Sequence, residues 1–345
     1  MRAQLFDGLL DDVPRAPLAT LPTPLERGPE LPGGARLWVK RDDLTGLGAG
    51  GNKVRKLEFL CGDALHRGAR TLVTVGAAQS NHCRATAAAG SVLGLDVHLV
   101  LAGDRPERPE GNQLLSDLFG AQFHFTGAPS HHWGELEIAR EEITAGLVDA
   151  GAVPYTIPMG GSTPLGALGY ALAFAELVEQ CEDLGVHPDA VVFTSSSGGT
   201  HAGLVAGRAL LRAQGRGQPA ELPDLLGIGV ARGVIADQQF VAELAVTALE
   251  LAGCTPDQAA AMIRPGDIDV DGGWLGDDYG TPTRAGDEAI RWAARHGGWV
   301  LDRTYTGKGL SGLLGNAARW GAGDDVVFVH TGGMPAVFAS GGFPS

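Results

Sequence analysis

Basic residues are in short supply in this chain. Lysine and arginine number 26 against 40 aspartates and glutamates, a formal charge of −14. A chain of that sign repels phosphate backbones, so nucleic acid is not an expected partner. Long apolar runs are missing too: no stretch of about 18 apolar residues occurs, and no membrane span is expected. The first residues, MRAQLFDGLLDDVPRAP, carry Asp7, Asp11 and Asp12 where a secretion signal needs an apolar core, so a cytoplasmic location is expected. Cysteine is sparse. Cys61, Cys83, Cys181 and Cys254 lie scattered, without Cys-x-x-Cys or Cys/His ligand spacing. That argues against a disulfide framework or a metal site and for small, half-buried thiols in a reducing compartment.

Glycine is what the chain has in excess, 53 of 345 residues. With no repeat or low-complexity tract, the glycines must serve turns and close backbone approaches. Strand-like runs are Leu37–Lys40, Thr71–Val75, Val97–Leu101, Gln122–Phe125, Ala190–Phe193, Leu225–Val230 and Val326–His330. They are mostly unalternated, as buried parallel strands are. Helix-period segments fall between them: Val54–Leu65, Ser80–Leu93, Trp133–Val148, Leu165–Glu182, Thr200–Leu211, Ile235–Leu251 and Arg284–Ala294. This alternation predicts an α/β fold with a covered parallel sheet. Loops 103–112 and 212–223 read as exposed surface connections. In such sheets ligands collect where strand ends meet helix starts, so the junctions carry the functional reading.

At the first junction, GLGAGGNKVRKLEFL, a glycine-rich loop enters a helix with Val54, Leu57, Leu60 and Cys61 along one side. Lys53 falls in the first turn. The positive end of the helix dipole and the neighbouring Arg55 and Lys56 disfavour an ammonium there. A lysine with a lowered pKa is a nucleophilic amine, as Schiff-base chemistry requires; the alternative is a solvated surface lysine. The loop also matches Gly-x-Gly-x-x-Gly at Gly46, Gly48 and Gly51, as do Gly307, Gly309 and Gly312. Neither match reads as a dinucleotide site. Asp42 to Thr45 precede the first in place of a strand end, and Thr71–Val75 ends in Gly76 rather than an acid for a ribose. A nicotinamide-dependent oxidoreductase is therefore the disfavoured alternative.

At the second junction, TLVTVGAAQSNHCRATAAAG, Ser80, Asn81 and His82 open a helix and offer side chains and free N–H groups to a carboxylate. A plain helix cap explains the first two equally well. At the third, Ser195-Ser196-Ser197-Gly198-Gly199-Thr200 joins a buried strand to an apolar helix. The turn reads as a phosphate cradle, and without Gly-Lys-Ser/Thr it suits a cofactor monophosphate better than a nucleoside triphosphate. Tyr279 and Tyr305, two of only four tyrosines, are candidates to move protons or simply to pack. Thr331-Gly332-Gly333 ends the last strand and could lay backbone against a flat ring.

Taken together, GGNKVRKLE, QSN and GGTHAG, in that order, resemble the pyridoxal-phosphate enzymes of the tryptophan-synthase-β-like fold, fold type II. The likeness is greatest to the group holding D-cysteine desulfhydrase and 1-aminocyclopropane-1-carboxylate deaminase, and it runs from Leu21-Pro-Thr-Pro-Leu25 to Gly332-Gly333. It implies two open, twisted α/β domains with pyridoxal 5′-phosphate in the cleft: a large domain of residues 1–55 plus 165–345 and a small one of residues 56–164. It implies Lys53 as the Schiff-base lysine, with Asn52 beside it. It implies Ser80, Asn81 and His82 at the substrate carboxylate, Asn81 also at the cofactor's phenolic oxygen, and Ser80 assisting proton transfer. Ser197, Gly198, Gly199 and Thr200 match the phosphate loop, and Tyr279 and Tyr305 the two active-site tyrosines.

The deaminases carry glutamate after the second tyrosine and leucine before the late glycine pair. This chain has Thr306 and Thr331, as the desulfhydrases do. A neutral hydroxyl beside the ring nitrogen makes a weaker electron sink than a carboxylate, sufficient to expel thiolate from Cβ. The resemblance thus implies a carbon–sulfur lyase acting on a small amino acid, D-cysteine foremost, with L-cysteate sulfo-lyase or cyclopropane deaminase as alternatives, in a homodimer. Met334 and Thr163 depart from the desulfhydrase pattern and are expected to line the pocket.

Overall fold

A computed structural model of the chain describes residues 8, 10–129, 132–215 and 222–342. Asp7, and residues 216–221 of the connection expected over 212–223, lie outside the described residues. The strands are β1 (Leu25–Glu30), β2 (Arg36–Lys40), β3 (Thr71–Gly76), β4 (Asp96–Leu101), β5 (Gln122–Phe125), β6 (Pro154–Ile157), β7 (Ala190–Ser195), β8 (Asp224–Gly229), β9 (Asp269–Asp271) and β10 (Asp325–Val329). They form two sheets, one of order β1-β2-β10-β7-β8-β9 and one of order β5-β4-β3-β6. All pairings are parallel except β1 with β2.

The helices are α1 (Lys53–His66), α2 (Asn81–Leu93), α3 (Gly111–Leu118), α4 (Trp133–Asp149), α5 (Pro164–Leu184), α6 (Gly199–Ala213), α7 (Arg232–Ala236), α8 (Gln239–Leu251), α9 (Pro256–Met262), α10 (Arg284–Gly297) and α11 (Thr306–Gly315). The unalternated strands have their physical reason here. In β7, Val191 and Phe193 face a core shared with α5, α6 and α8, while Val192 faces a second core shared with α10 and α11. A sheet covered on both faces needs apolar residues at every position. The smaller sheet is likewise covered twice, by α1 and α2 on one side and by Leu136 of α4 on the other. α1 belongs to both bodies: Leu57, Leu60, Cys61 and Ala64 pack on the small sheet, and Phe59 in the core of the large one.

Several elements differ from the sequence expectation. β1 reads LERGPE, whose Gly28 and Pro29 suggest a loop. It survives because it is an antiparallel edge strand with a register shift between Arg27 and Glu30, where a missing donor does no harm. The segment Ile235–Leu251 is two helices, α7 and α8, parted at Asp237–Gln238. α11 is rich in glycine and reads poorly as a helix. Its glycines admit the sheet: a Cβ on Gly309 would lie 2.1 Å from Thr194 Oγ1, and one on Gly312 2.6 Å from Ile228 Cδ1. The second Gly-x-Gly-x-x-Gly match is thus a packing surface inside a helix.

Candidate active site

A cleft of about 570 Å³ opens between the two sheets. Its walls come from the ends of β3 and β7, the starts of α1, α2 and α6, and the segments around Tyr279, Tyr305 and Thr331. Asn52, Lys53, Ser80, Asn81, His82, Ser197, Gly198, Thr200, Tyr279, Tyr305 and Thr331 all line it. Gly199 and Thr306 stand just behind the lining and are buried. Met334 and Thr163 do not face the cleft. Met334 is 40% exposed outside it, and the Thr163 hydroxyl caps α5 by accepting from Gly166 N at 2.9 Å.

The loop before Lys53 is held open by Gly48 (φ 55°) and Gly51 (φ 110°), left-handed conformations natural to glycine. Buried Arg84 donates to the Gly48 carbonyl, and Asn52 N donates to Thr331 O at 3.0 Å. Lys53 then opens α1 with its amine against the cleft. Burial pushes its pKa down to about 8. Burial is the main cause, Lys56 repels the same amine, and Arg55 points away, paired with Asp42 and Glu176. Lys56 was read as a mere neighbour. It is 1% exposed, and its amine donates to Gly160 O at 3.2 Å. Burial, then the charge of Lys53, press its pKa well below the lysine range. Among the described residues no carboxylate offsets either amine.

The Ser/Gly turn sits against Lys56. Gly198 takes φ 78° at the N-cap of α6. The Ser162 hydroxyl donates to Ser197 Oγ at 2.8 Å and accepts from Gly199 N at 3.3 Å. Asn52 Nδ2 donates to Thr200 Oγ1 at 3.0 Å, tying the lysine loop to the turn. A Cβ on Gly199 would lie 2.8 Å from Lys56 Nζ, and one on Gly160 would lie 2.5 Å from Ser197 Oγ. Space free of side chains, helix-start amides, hydroxyls and a buried amine without a carboxylate partner among the described residues suit an anionic group such as a phosphate.

On the opposite wall Ser80 caps α2, accepting from Cys83 N at 3.2 Å, and keeps its own proton to give. Asn112 Nδ2 donates to Asn81 Oδ1 at 2.9 Å, so the Asn81 amide turns its N–H groups outward. His82 differs from expectation in the direction of its ring. Thr74 Oγ1 gives its one proton to Ile157 O at 2.9 Å, so it accepts from His82 Nε2, also at 2.9 Å. That fixes the Nε2–H tautomer and leaves Nδ1 bare and buried. Burial and the two lysines hold His82 neutral. A carboxylate at this wall therefore meets the backbone amides of the α2 start, not an imidazolium.

The hydroxyls of Tyr279 and Tyr305 share a hydrogen bond. Burial pushes Tyr279 to about 12 and Tyr305 well above the phenol range. Beneath them lies Asp302, 1% exposed, which the sequence reading missed. Its Oδ1 accepts from Tyr305 N at 2.6 Å and Thr304 N at 2.8 Å; its Oδ2 accepts from Thr306 Oγ1 at 2.9 Å. Burial raises its pKa against those donors. The Thr306 hydroxyl, read as a neutral group, is thus backed by a buried carboxylate. The signal in the sequence was an acid three and four residues ahead of a helix start in LDRTYTG.

Comparison with known proteins places the chain in a family. A profile of the pyridoxal-phosphate dependent enzymes matches residues 17–332. The D-cysteine desulfhydrase of Salmonella typhi is 40% identical over 337 residues, covering 94% of this chain and 96% of the relative. A Pyrococcus abyssi protein, provisionally named a 1-aminocyclopropane-1-carboxylate deaminase, is 38% identical, covering 97% and 96%. The crystal structure of an ACC deaminase homologue superposes with a TM-score of 0.84 at 37% identity, covering 98% of this chain and 97% of the other. The unpaired amines and the cradle beside them fit an aldehyde cofactor with an anionic tail. The chain belongs to the pyridoxal-phosphate dependent enzymes of tryptophan-synthase-β-like fold.

Proposed function

We propose that the chain is a lyase that removes the Cβ substituent of a small amino acid, and that D-cysteine is its substrate, converted with water to pyruvate, ammonia and hydrogen sulfide. One observation carries the reading: a buried lysine amine with its pKa lowered to about 8 faces a Ser/Gly turn backed by a second, unpaired lysine. The 40% identity to a D-cysteine desulfhydrase supports the choice of substrate. Thr306 and Thr331 support it as well.

Pyridoxal phosphate, when bound, withdraws electrons from the α-carbon of the substrate. Lys53 holds the aldehyde end, and Ser197, Gly198, Gly199 and Thr200 hold the phosphate with Lys56 behind them. Asn52 links these two ends. Asn81 would meet the cofactor's phenolic oxygen and Thr331 its ring, with Thr306, tied to Asp302, behind them. The start of α2, with Ser80 and Asn81, holds the substrate carboxylate. The unprotonated Lys53 amine would take the α-proton, and Ser80, which lines the same cleft, is the candidate to relay it. The Tyr279–Tyr305 pair carries a phenolic proton to the departing sulfur. Burial keeps both phenols protonated, so a proton is in place beside the sulfur as the carbon–sulfur bond breaks. The same reading places a small domain, residues 56–164, within a large one, residues 1–55 plus 165–345; the confinement of one whole sheet to residues 71–157 supports it. It also takes the working form to be a cytoplasmic homodimer, the dimer being readable by light scattering.

The test is product release. D-cysteine should give sulfide and pyruvate in equal amounts, and Lys53→Ala should lower the rate by at least about 100-fold. Borohydride should fix the cofactor to Lys53 in the mass spectrum. Robust turnover by the alanine variant would remove Lys53 from the chemistry. A relative and a solved structure carry the deaminase name, so the cyclopropane substrate belongs in the same panel, with 2-oxobutyrate as its readout. L-cysteate, read by sulfite, completes it.

A further inference from the structure

The outer half of the cleft contains a residue that the proposed reaction leaves without a task. Trp133 is the first residue of α4 and lines the cleft from the small-sheet side. It is anchored from below. Leu136, one turn on, is fully buried with Val75, Val100 and Ala102, and Trp133 and Met159 pack against that cluster. The Met159 N–H donates to Glu137 Oε1 at 3.4 Å, tying the chain after β6 to the same helix. From this base the indole reaches across to Tyr279, with ring centroids 5.3 Å apart and planes at 76°. Tyr279 in turn meets Tyr305 at 6.1 Å and 64°. Three rings that line the cleft therefore stand in a row, the first from the small sheet's side and the others from segments of the large one. Edge-to-face contact of this kind fixes the orientation of the ring as well as its distance.

We propose that Trp133 is the specificity-determining residue of the cleft: its indole fills the space beyond the Cβ substituent and holds the Tyr279 phenol against Tyr305. The inference rests on the lyase reading, since it presumes an amino acid whose side chain points at the tyrosines. The space has the character such a role needs. The cleft lining also holds the apolar Met159, Val234 and Phe240 beside the polar Glu137, Arg232 and Asp278, and its volume of about 570 Å³ would admit a longer unbranched side chain. Trp133 is the bulkiest group set in it. Removing the ring should extend the range of side chains accepted and loosen Tyr279, with no effect on the phosphate cradle or on Lys53, which lie on other elements.

The test uses holoenzyme and two amino acids that have no Cβ leaving group, D-alanine and D-norleucine, titrated by the change each makes in the visible absorption of the bound cofactor. Wild type should prefer D-alanine. Trp133→Leu, which keeps apolar bulk over Leu136 but removes the ring, should shift the affinity ratio toward D-norleucine by about tenfold. Trp133→Phe should restore most of the original ratio. Cofactor content per subunit should stay at the wild-type level in both. With D-cysteine, the leucine variant should lose kcat more than it raises KM, because Tyr279 loses its wall. An unchanged ratio in the leucine variant, with wild type responding to D-alanine, overturns the role of Trp133 and leaves the lyase reading intact. A wild-type spectrum unmoved by these amino acids and by their L-forms removes the lyase reading, and this inference with it.

Discussion

Arg55 and Lys56 are adjacent in sequence and equally buried at 1% exposure, yet their surroundings are opposite. Arg55 sits in a closed network. Its Nη2 meets Asp42 Oδ1 at 2.8 Å and Glu176 Oε1 at 2.8 Å, its Nε meets Asp42 Oδ2 at 2.9 Å, and Tyr170 donates to the same Asp42 at 2.6 Å. Lys40 joins Glu176 from β2. Every charge there has its counter-charge, which holds the Asp42 carboxyl down to about 2 and the guanidinium well above its usual range. Lys56, one residue on, has a single carbonyl and no anion. A buried charge is tolerated when paired and costly when alone. The first cluster is thus complete in itself and fastens α1 to the large sheet's side. The second is complete only with a ligand.

The sharpest way to break this contrast is Arg55→Met. It strands Asp42 and Glu176 and should cost about 3–5 kcal/mol of stability, measured by urea unfolding of the cofactor-free protein. A variant as stable as wild type would show that the network is not structural. Lys56→Met should act in the opposite sense. The lysine's folded pKa is lowered, so below its unfolded value the native state carries a penalty that methionine lacks, and the cofactor-free protein should be no less stable. Cofactor affinity should meanwhile fall by about 10–100-fold, the loss of one charge-assisted contact, read by spectrophotometric titration. Unaltered affinity would place the phosphate elsewhere. The mildest effect is on rate. With its pKa at about 8, Lys53 should capture added cofactor about tenfold faster per pH unit up to pH 8 and level off above it. The linked penalty is full below pH 8 and fades as pH climbs toward the unfolded lysine value, so cofactor-free stability should rise over that window. A flat capture rate from pH 6 to 9 would contradict the depressed pKa.

The sequence carried the parts of the fold that depend on pattern. Seven apolar runs became strands because a doubly covered sheet leaves a continuous apolar run, and the junctions after them became the cleft walls. What it did not carry depends on partners distant in the chain. Nothing in LERGPE announces an edge strand, since its pairing with β2 is what makes it one. Lys56 and Arg55 look alike in GGNKVRKLE; Asp42 and Glu176, the latter 121 positions from Arg55, tell them apart. His82 reads as a carboxylate contact in the sequence; the hydrogen bond to Thr74, whose own proton goes to Ile157 of a distant strand, is what turns its Nε2–H away. Trp133 looks like the start of an ordinary amphipathic helix until Tyr279 is brought opposite.

The helix that begins with Lys53 is packed into two cores at once, through Phe59 on one side and Leu57, Leu60, Cys61 and Ala64 on the other. Its adjacent residues Phe59 and Leu60 belong to different cores, so a cavity cut at either is felt through one stretch of backbone by both bodies and by the first turn that carries Lys53.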